Sequence, residues 1–201
     1  MLGSCLGTIA YLKTLLKDRD VASVTPSSKY AVKRVLDRIS FDTCQIIVEY
    51  GPGLGVFTAE ILKRMSENCL LITIEKNQKF VEKLELNFND SRLKVISGSA
   101  EEILEHVKEK SVDAVVSGIP FSLIDPFCRE KILQNTAKAL KSDGRFLTYQ
   151  VFPPPASMDK FLRKPLEKEF ELLEREYEFR NVPPLRIYES KPLSLHRNGR
   201  K

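Results

Sequence analysis

Apolar and polar positions along this chain follow two periods, and the period switches at regular intervals. Short apolar runs read as strands: residues 46–48, "LLITIE" (70–75), "LKVISG" (93–98), "VDAVVSG" (112–118) and "RFLTYQV" (145–151). Between them apolar residues recur at helical spacing. Phe57, Ile61 and Leu62 start one helix, and others are predicted from about Asn77 to Leu86, over "AEEILEHVKE", and from about Pro126 to Leu140. "KSDG" is expected to close the last of these with its glycine. Such alternation predicts an α/β fold, a mostly parallel, doubly wound sheet with helices on both faces. The pattern then breaks at "FPPPAS", resumes with a helix near 157–168, and ends in two successive strands, "FELLEREYEFR" and "LRIYESK", joined through "NVPP". Two consecutive strands predict an antiparallel hairpin on the otherwise parallel sheet. Extra helices are predicted at the N-terminus. Leu2, Cys5, Leu6, Ile9, Leu12 and Leu16 share one helical face, and "TPSSKYAVKRVLDRI" opens like a helix cap.

The chemistry concentrates where the first strand ends. "IIVEYGPGLGVFTAEILKRM" passes from a β-branched run through Gly51, Gly53 and Gly55 directly into a helix. Residues without a Cβ allow tight turns and let a ligand lie against the main chain. A strand, a glycine turn and a helix N-terminus together make a place for a nucleotide-like group. Glu75 ends the second strand, twenty residues after Gly55. A carboxylate there can accept hydrogen bonds from both hydroxyls of a ribose, whether of NAD or of S-adenosylmethionine. The spacing E-Y-G-P-G-L-G separates the two. Glu49, just before the turn, would repel a pyrophosphate and suits a cationic ligand. Charge complementarity therefore favours S-adenosylmethionine, which carries a sulfonium and an ammonium and no phosphate.

Length and charge add bounds. The 201 residues suit one domain with a sizeable core, and the net charge of +5 suits a surface that meets phosphate groups on lipid or nucleic acid. Cys5, Cys44, Cys69 and Cys128 are scattered without a C-x-x-C pair, so reduced thiols are expected and no metal site is predicted. No stretch has the length of a membrane-spanning helix, and the first residues lack the basic start and cleavage site of a signal peptide. A cytoplasmic location is expected, with peripheral attachment to the inner membrane face as its extension.

The chain resembles the class I S-adenosylmethionine-dependent methyltransferases over residues 45–151. "VEYGPGLG" is similar to their first motif, "ITIEKN" to the segment with their ribose-binding acid, and "VDAVVSGIPF" to their fourth motif. The resemblance implies a Rossmann-like, seven-stranded sheet whose last strand is antiparallel. It implies a cofactor site of Glu49, Gly51, Pro52, Gly53, Gly55, Glu75, Lys76, Ser99, Ala100 and Ser117. One departure lies after the third strand. Many members carry an acid there for the adenine amino group, whereas this chain has Gly98-Ser99-Ala100-Glu101, leaving Ser99 and Glu101 as alternative contacts.

Two branches of the family compete for the acceptor. The RNA adenine N6-dimethyltransferases have Asn/Asp-x-Pro-Tyr/Phe in the fourth motif, with a polar group for the target amine and a ring to stack on the base. Here the residues are Gly118-Ile119-Pro120-Phe121, so the polar side chain is missing. The bacterial phospholipid N-methyltransferases resemble the chain at more points: "VTPSSKYAVKRVL", "VVSGIPF" and "RNVPPLRIYE", in the right order. Ornithine-lipid methyltransferases are close relatives of these. This resemblance implies a wall at the transferable methyl made of Ser117, Gly118, Ile119 and Pro120. The candidate substrate contacts are Ser27, Ser28, Tyr30, Phe121, Tyr149 and Arg180. The expected partner is an anionic lipid surface. The stripe from Leu2 to Leu16 has two readings, lying in that interface with Lys13 and Lys17 at the phosphates, or packing on the sheet. The layout is a helical segment over 1–40, a methyltransferase domain over 41–192 and a basic tail over 193–201. A binding module that holds the cofactor without transferring its methyl is the rival of another class.

Overall fold

The computed structural model describes residues 27–151, 158–182 and 184–194. The stripe from Leu2 to Leu16, the "FPPPAS" break and most of the basic tail lie outside them.

Helix α1 (Lys29–Leu36) leads into strand β1 (Ile46–Tyr50), followed by α2 (Val56–Arg64), β2 (Leu70–Glu75), α3 (Gln78–Asn87) and β3 (Leu93–Ser97). A 3-10 turn (Ala100–Glu105) precedes β4 (Val112–Ser117), and a second (Phe121–Leu123) precedes α4 (Pro126–Ala139). Then come β5 (Leu140–Val151), α5 (Met158–Glu169), β6 (Phe170–Glu178) and β7 (Leu185–Pro192). The seven strands form one sheet in the order β3-β2-β1-β4-β5-β7-β6. β1 to β5 are parallel to one another, while β7 runs antiparallel between β5 and β6. The expected seven-stranded, doubly wound sheet with an antiparallel last strand is therefore present.

Period-two alternation sorts the strands' side chains onto two faces. Val48, Ile72, Val115 and Phe146 join Ile132, Leu133, Leu162 and Leu166 of α4 and α5. Ile47, Leu71, Val116 and Leu147 join Val32, Val35 and Leu36 of α1 and Phe57 and Ile61 of α2 on the other side. A sheet covered on both faces needs near-continuous apolar strands, which is what the sequence shows. Cys44, Cys69 and Cys128 are all buried.

Two segments depart from expectation. The helix predicted over residues 100–109 is a 3-10 turn ending at Glu105, opened by a capping box between Ser99 and Glu102. Asn135 Nδ2 also donates to the Glu101 carbonyl at 2.7 Å, tying the turn to α4. "KSDG" does not cap α4. The strand begins directly at Leu140, and the ladder with β4 jumps from Val112–Leu140 to Ala114–Arg145. Gly144 serves close approach, since a Cβ there would lie 3.0 Å from the Val112 and Lys141 carbonyl oxygens.

The glycine turn depends on conformation and space together. Gly53 and Gly55 both have positive φ, at 56° and 82°. A Cβ on Gly53 would meet nothing within 4 Å, whereas on Gly55 it would lie 2.5 Å from Phe88 Cε2. Gly53→Ala is expected to cost about 1 kcal/mol for the left-handed backbone alone. Gly55→Ala adds overpacking and should cost about 3 kcal/mol in total. Urea unfolding of the two variants measures the difference, and equal losses would show that Phe88 does not constrain the turn.

Candidate active site

The candidate site lies at the carboxyl ends of β1, β2, β4 and β5, where the glycine turn, residues 117–120 and the start of α1 converge. β1 is central. Its Tyr50 carbonyl accepts from Gly118 N at 3.0 Å, and Gly51 N donates to Ile74 O at 3.0 Å, so the ladder carries the loops after β1 and β4 side by side. A Cβ on Gly51 would lie 3.4 Å from Ile119 Cγ1, so the two loops are in contact.

Two carboxyl groups stand at this edge. Glu49 is only 3% exposed, and its Oε2 accepts from Thr58 Oγ1 at 2.7 Å. Burial pushes its pKa up to about 8; the Thr58 hydrogen bond opposes the rise, and the charge of Glu75 adds to it. Glu75 is 8% exposed and accepts from Gly53 N at 3.2 Å and Asn77 N at 2.9 Å. Burial raises its pKa as well, against the pull of those backbone donors. Among the described residues neither carboxyl is ion-paired. Two buried acids beside an open glycine turn form a set of acceptors suited to a ligand carrying positive charge and hydroxyl groups.

The remaining predicted residues fall into three groups. Pro52 is buried and its carbonyl accepts from Gly55 N at 2.9 Å, closing the turn. Lys76 stands exposed beside it, 3.6 Å from Glu101 Oε1. Ser99 and Ala100 are buried at the 3-10 turn, and the Ser99 hydroxyl donates to Glu101 Oε1 at 3.0 Å. Ser117 is fully buried, while Gly118, Ile119 and Pro120 are half-buried.

Of the expected substrate contacts, Phe121 goes to the core, Ser28, Tyr30 and Arg180 are engaged within the fold, and Tyr149 stands at the site beside Gly118. Phe121 is fully buried and packs edge-on to Phe146 at 6.3 Å between centroids, so its ring is a core element and not part of the site's surface. Ser28 caps α1 by accepting from Ala31 N, and its own N–H donates to Asn181 Oδ1 at 2.7 Å. Tyr30 carries the chain's own cations on its ring, Arg180 at 4.4 Å and Lys29 at 5.3 Å. Arg180 is paired with Glu178 through two contacts of 2.9 Å. Tyr149 stacks one face on Phe57 at 4.8 Å, and its hydroxyl is hydrogen-bonded to the Ser27 side chain.

Four residues at the site are not evident from its motifs. Thr58 holds Glu49, Phe57 supports Tyr149, Gln150 Nε2 donates to the Ile119 carbonyl at 2.9 Å, and Asn181 anchors the start of α1. Thr58 left a signal: it is a polar residue in the apolar stripe with Ile61 and Met65. The other three depend on contacts between distant segments.

The parallel sheet, the glycine turn and the paired acids define a nucleoside-cofactor enzyme of the Rossmann-like class. Residues 47–144 match the family described as methyltransferase domain. With the fold, this identifies the chain as an S-adenosylmethionine-dependent methyltransferase. The ornithine lipid N-methyltransferase of Singulisphaera acidiphila is 25% identical over 172 residues, covering 84% of this chain and 86% of that protein. A probable ribosomal RNA small subunit methyltransferase A of Thermococcus sibiricus is 32% identical over 112 residues, but they make up only 36% of that protein. Among solved structures, a SAM-dependent methyltransferase of Aquifex aeolicus superposes with a TM-score of 0.67 at 12% identity, over 90% of this chain and 98% of its own. S-adenosylmethionine is the cofactor. No helix among the described residues is long and apolar enough to cross a membrane.

The raised pKa of Glu49 makes stability depend on pH. Its folded value, about 8, lies above the ordinary 4.5, so the folded state holds a proton that the unfolded chain gives up. The contribution is fully present below pH 4.5 and is lost as pH rises to about 8. Cofactor-free Glu49→Gln should therefore melt close to the parent at pH 4.5 and several degrees above it at pH 8.5. Melting curves at the two pH values test this, and a constant difference would mean that Glu49 is already ionised in the fold.

Proposed function

We propose that this enzyme transfers methyl from S-adenosylmethionine to the amine head group of a membrane lipid, either phosphatidylethanolamine and its methylated forms or ornithine lipid. One observation carries the choice. At the position where an adenine-methylating site presents a polar side chain and then an exposed ring, this chain has Gly118 and a core-buried Phe121. Residue 118 itself carries no side chain, and the ring at 121, buried in the core, cannot stack on a base; the missing stacking platform carries the choice, since a base needs it and a lipid amine does not. The coverage of the ornithine-lipid relative points the same way, since the RNA-modifying relative matches over the shared domain alone.

In this reading Glu49, Gly51, Pro52, Gly53 and Gly55 surround the amino-acid part of the cofactor. Glu75 accepts from the ribose hydroxyls, with Lys76, Ser99 and Ala100 along the rim. The bound cofactor supplies a methyl carbon on a positively charged sulfur. The protein's part is to place the acceptor nitrogen in line with that methyl and to keep water away. Ser117, Gly118, Ile119 and Pro120 form the wall at which the amine sits. Gln150 holds the Ile119 carbonyl, which fixes the shape of that wall. The lipid surface itself is expected to be anionic, in keeping with the net positive charge.

Two experiments check this. Incubation with labelled S-adenosylmethionine, vesicles of phosphatidylethanolamine with an anionic lipid, parallel vesicles containing ornithine lipid, and unmodified ribosomal RNA should place label in a lipid fraction. Label in the RNA alone would overturn the lipid reading. Calorimetry of Glu75→Ala should show cofactor binding weakened about ten- to a hundredfold, the loss of charge-assisted hydrogen bonds to the ribose. Unchanged affinity would remove Glu75 from the site.

A further inference from the structure

The hydroxyl of Tyr149 stands in the space that a side chain at residue 118 would fill. A Cβ built on Gly118 would lie 2.6 Å from Tyr149 Oη and 3.2 Å from Cζ. Real Cβ atoms do not approach an oxygen so closely, so the tyrosine hydroxyl and any side chain at 118 exclude each other. The motif therefore has not lost a polar group at this spot. The group arrives from the next strand, since β5 lies beside β4 and Thr148 pairs with Ser117.

The surroundings suit a working hydroxyl. Phe57 stacks on the ring at 4.8 Å and fixes its plane, while the Ser27 side chain is hydrogen-bonded to the hydroxyl. Burial and the nearby Glu49 both raise the pKa of the phenol, so it stays protonated and neutral. A neutral phenol keeps an oxygen lone pair able to accept from an amine N–H. Its ring faces are less suited to the task, because Phe57 already covers one of them.

We propose that Tyr149 is the positioning residue for the acceptor amine, its hydroxyl replacing the polar side chain that Gly118 lacks. The glycine is then required by the tyrosine, and the two act as a pair. This rests on the reading of the chain as an amine methyltransferase, though not on which lipid is the acceptor.

The test joins kinetics to a double-mutant cycle. Tyr149→Phe removes the hydroxyl and keeps the ring on Phe57. On lipid-amine vesicles kcat should fall at least about tenfold, with KM for the lipid changed less than about threefold. Cofactor affinity and melting temperature should stay close to the parent's, which a merely structural tyrosine would not allow. Parent-like turnover in Tyr149→Phe would overturn the proposal. If the parent instead labels RNA, the lipid reading fails, and the same kcat comparison on RNA still decides the role of Tyr149. The cycle needs no acceptor. Gly118→Ala should lower the melting temperature sharply alone and much less when combined with Tyr149→Phe, where the nearest ring atom is 3.2 Å away. Equal losses in both backgrounds would show that the hydroxyl does not occupy that space, and the pairing would fall.

Discussion

Close approach of main chain at the carboxyl edge of the sheet is the constraint on which this site depends. Gly55 passes under Phe88, Gly51 lies against Ile119, and Gly118 leaves room for the Tyr149 hydroxyl. At Gly55 and Gly118 a methyl group would have to displace a ring or a hydroxyl. Because those backbones come so close, the loops after β1 and β4 touch, and the acids on β1 and β2 end up facing one opening. The two sheet faces supply the rigidity behind it, with α1 and α2 on one side and α4 and α5 on the other.

Charge is distributed unevenly over this frame. At the opening, Glu49 and Glu75 are buried with hydroxyl and backbone donors rather than cations around them. A positively charged ligand therefore meets two acids that no cation among the described residues has claimed, and its charge favours the ionised form of each. Away from the opening the opposite holds. Arg34 reaches Glu178 at 2.9 Å, Arg38 reaches Glu176 at 2.6 Å, and Arg38 also contacts Glu189 at 3.3 Å. Glu178 is held at a pKa of about 2, chiefly by its hydrogen bonds to Arg180. This network fastens α1 to the β6–β7 hairpin, and Asn181 adds a direct link to Ser28. The start of α1, with Ser27 at the Tyr149 hydroxyl, is thereby delivered to the site. The basic residues of α1 thus serve the fold before any phosphate.

Much of the fold was legible because it repeats local rules. Strands buried on both faces read as apolar runs, and helices show their 3.6-residue stripe. The misreadings share a cause. "AEEILEHVKE" has helical spacing, but Asn135 of α4 holds the Glu101 carbonyl and only a short 3-10 turn forms. "KSDG" looks like a helix end, but the close approach of β5 to β4 claims its glycine. In both, a contact between segments overrode local preference.

By itself the sequence determined the strand order's raw material, the glycine turn and the two acids at their spacing, because these are properties of adjacent residues. It also determined that residue 118 has no side chain. What replaces that side chain was decided only by the tertiary structure. The Tyr149 hydroxyl comes from β5, thirty-one residues away, and Ser27 from the far side of the glycine turn. Likewise the sequence offered Phe121 as a stacking ring, and packing against Phe146 put it in the core. Chain order carries no record of which side of a backbone a side chain will find empty. Only the assembled sheet, with its neighbours in register, creates that space.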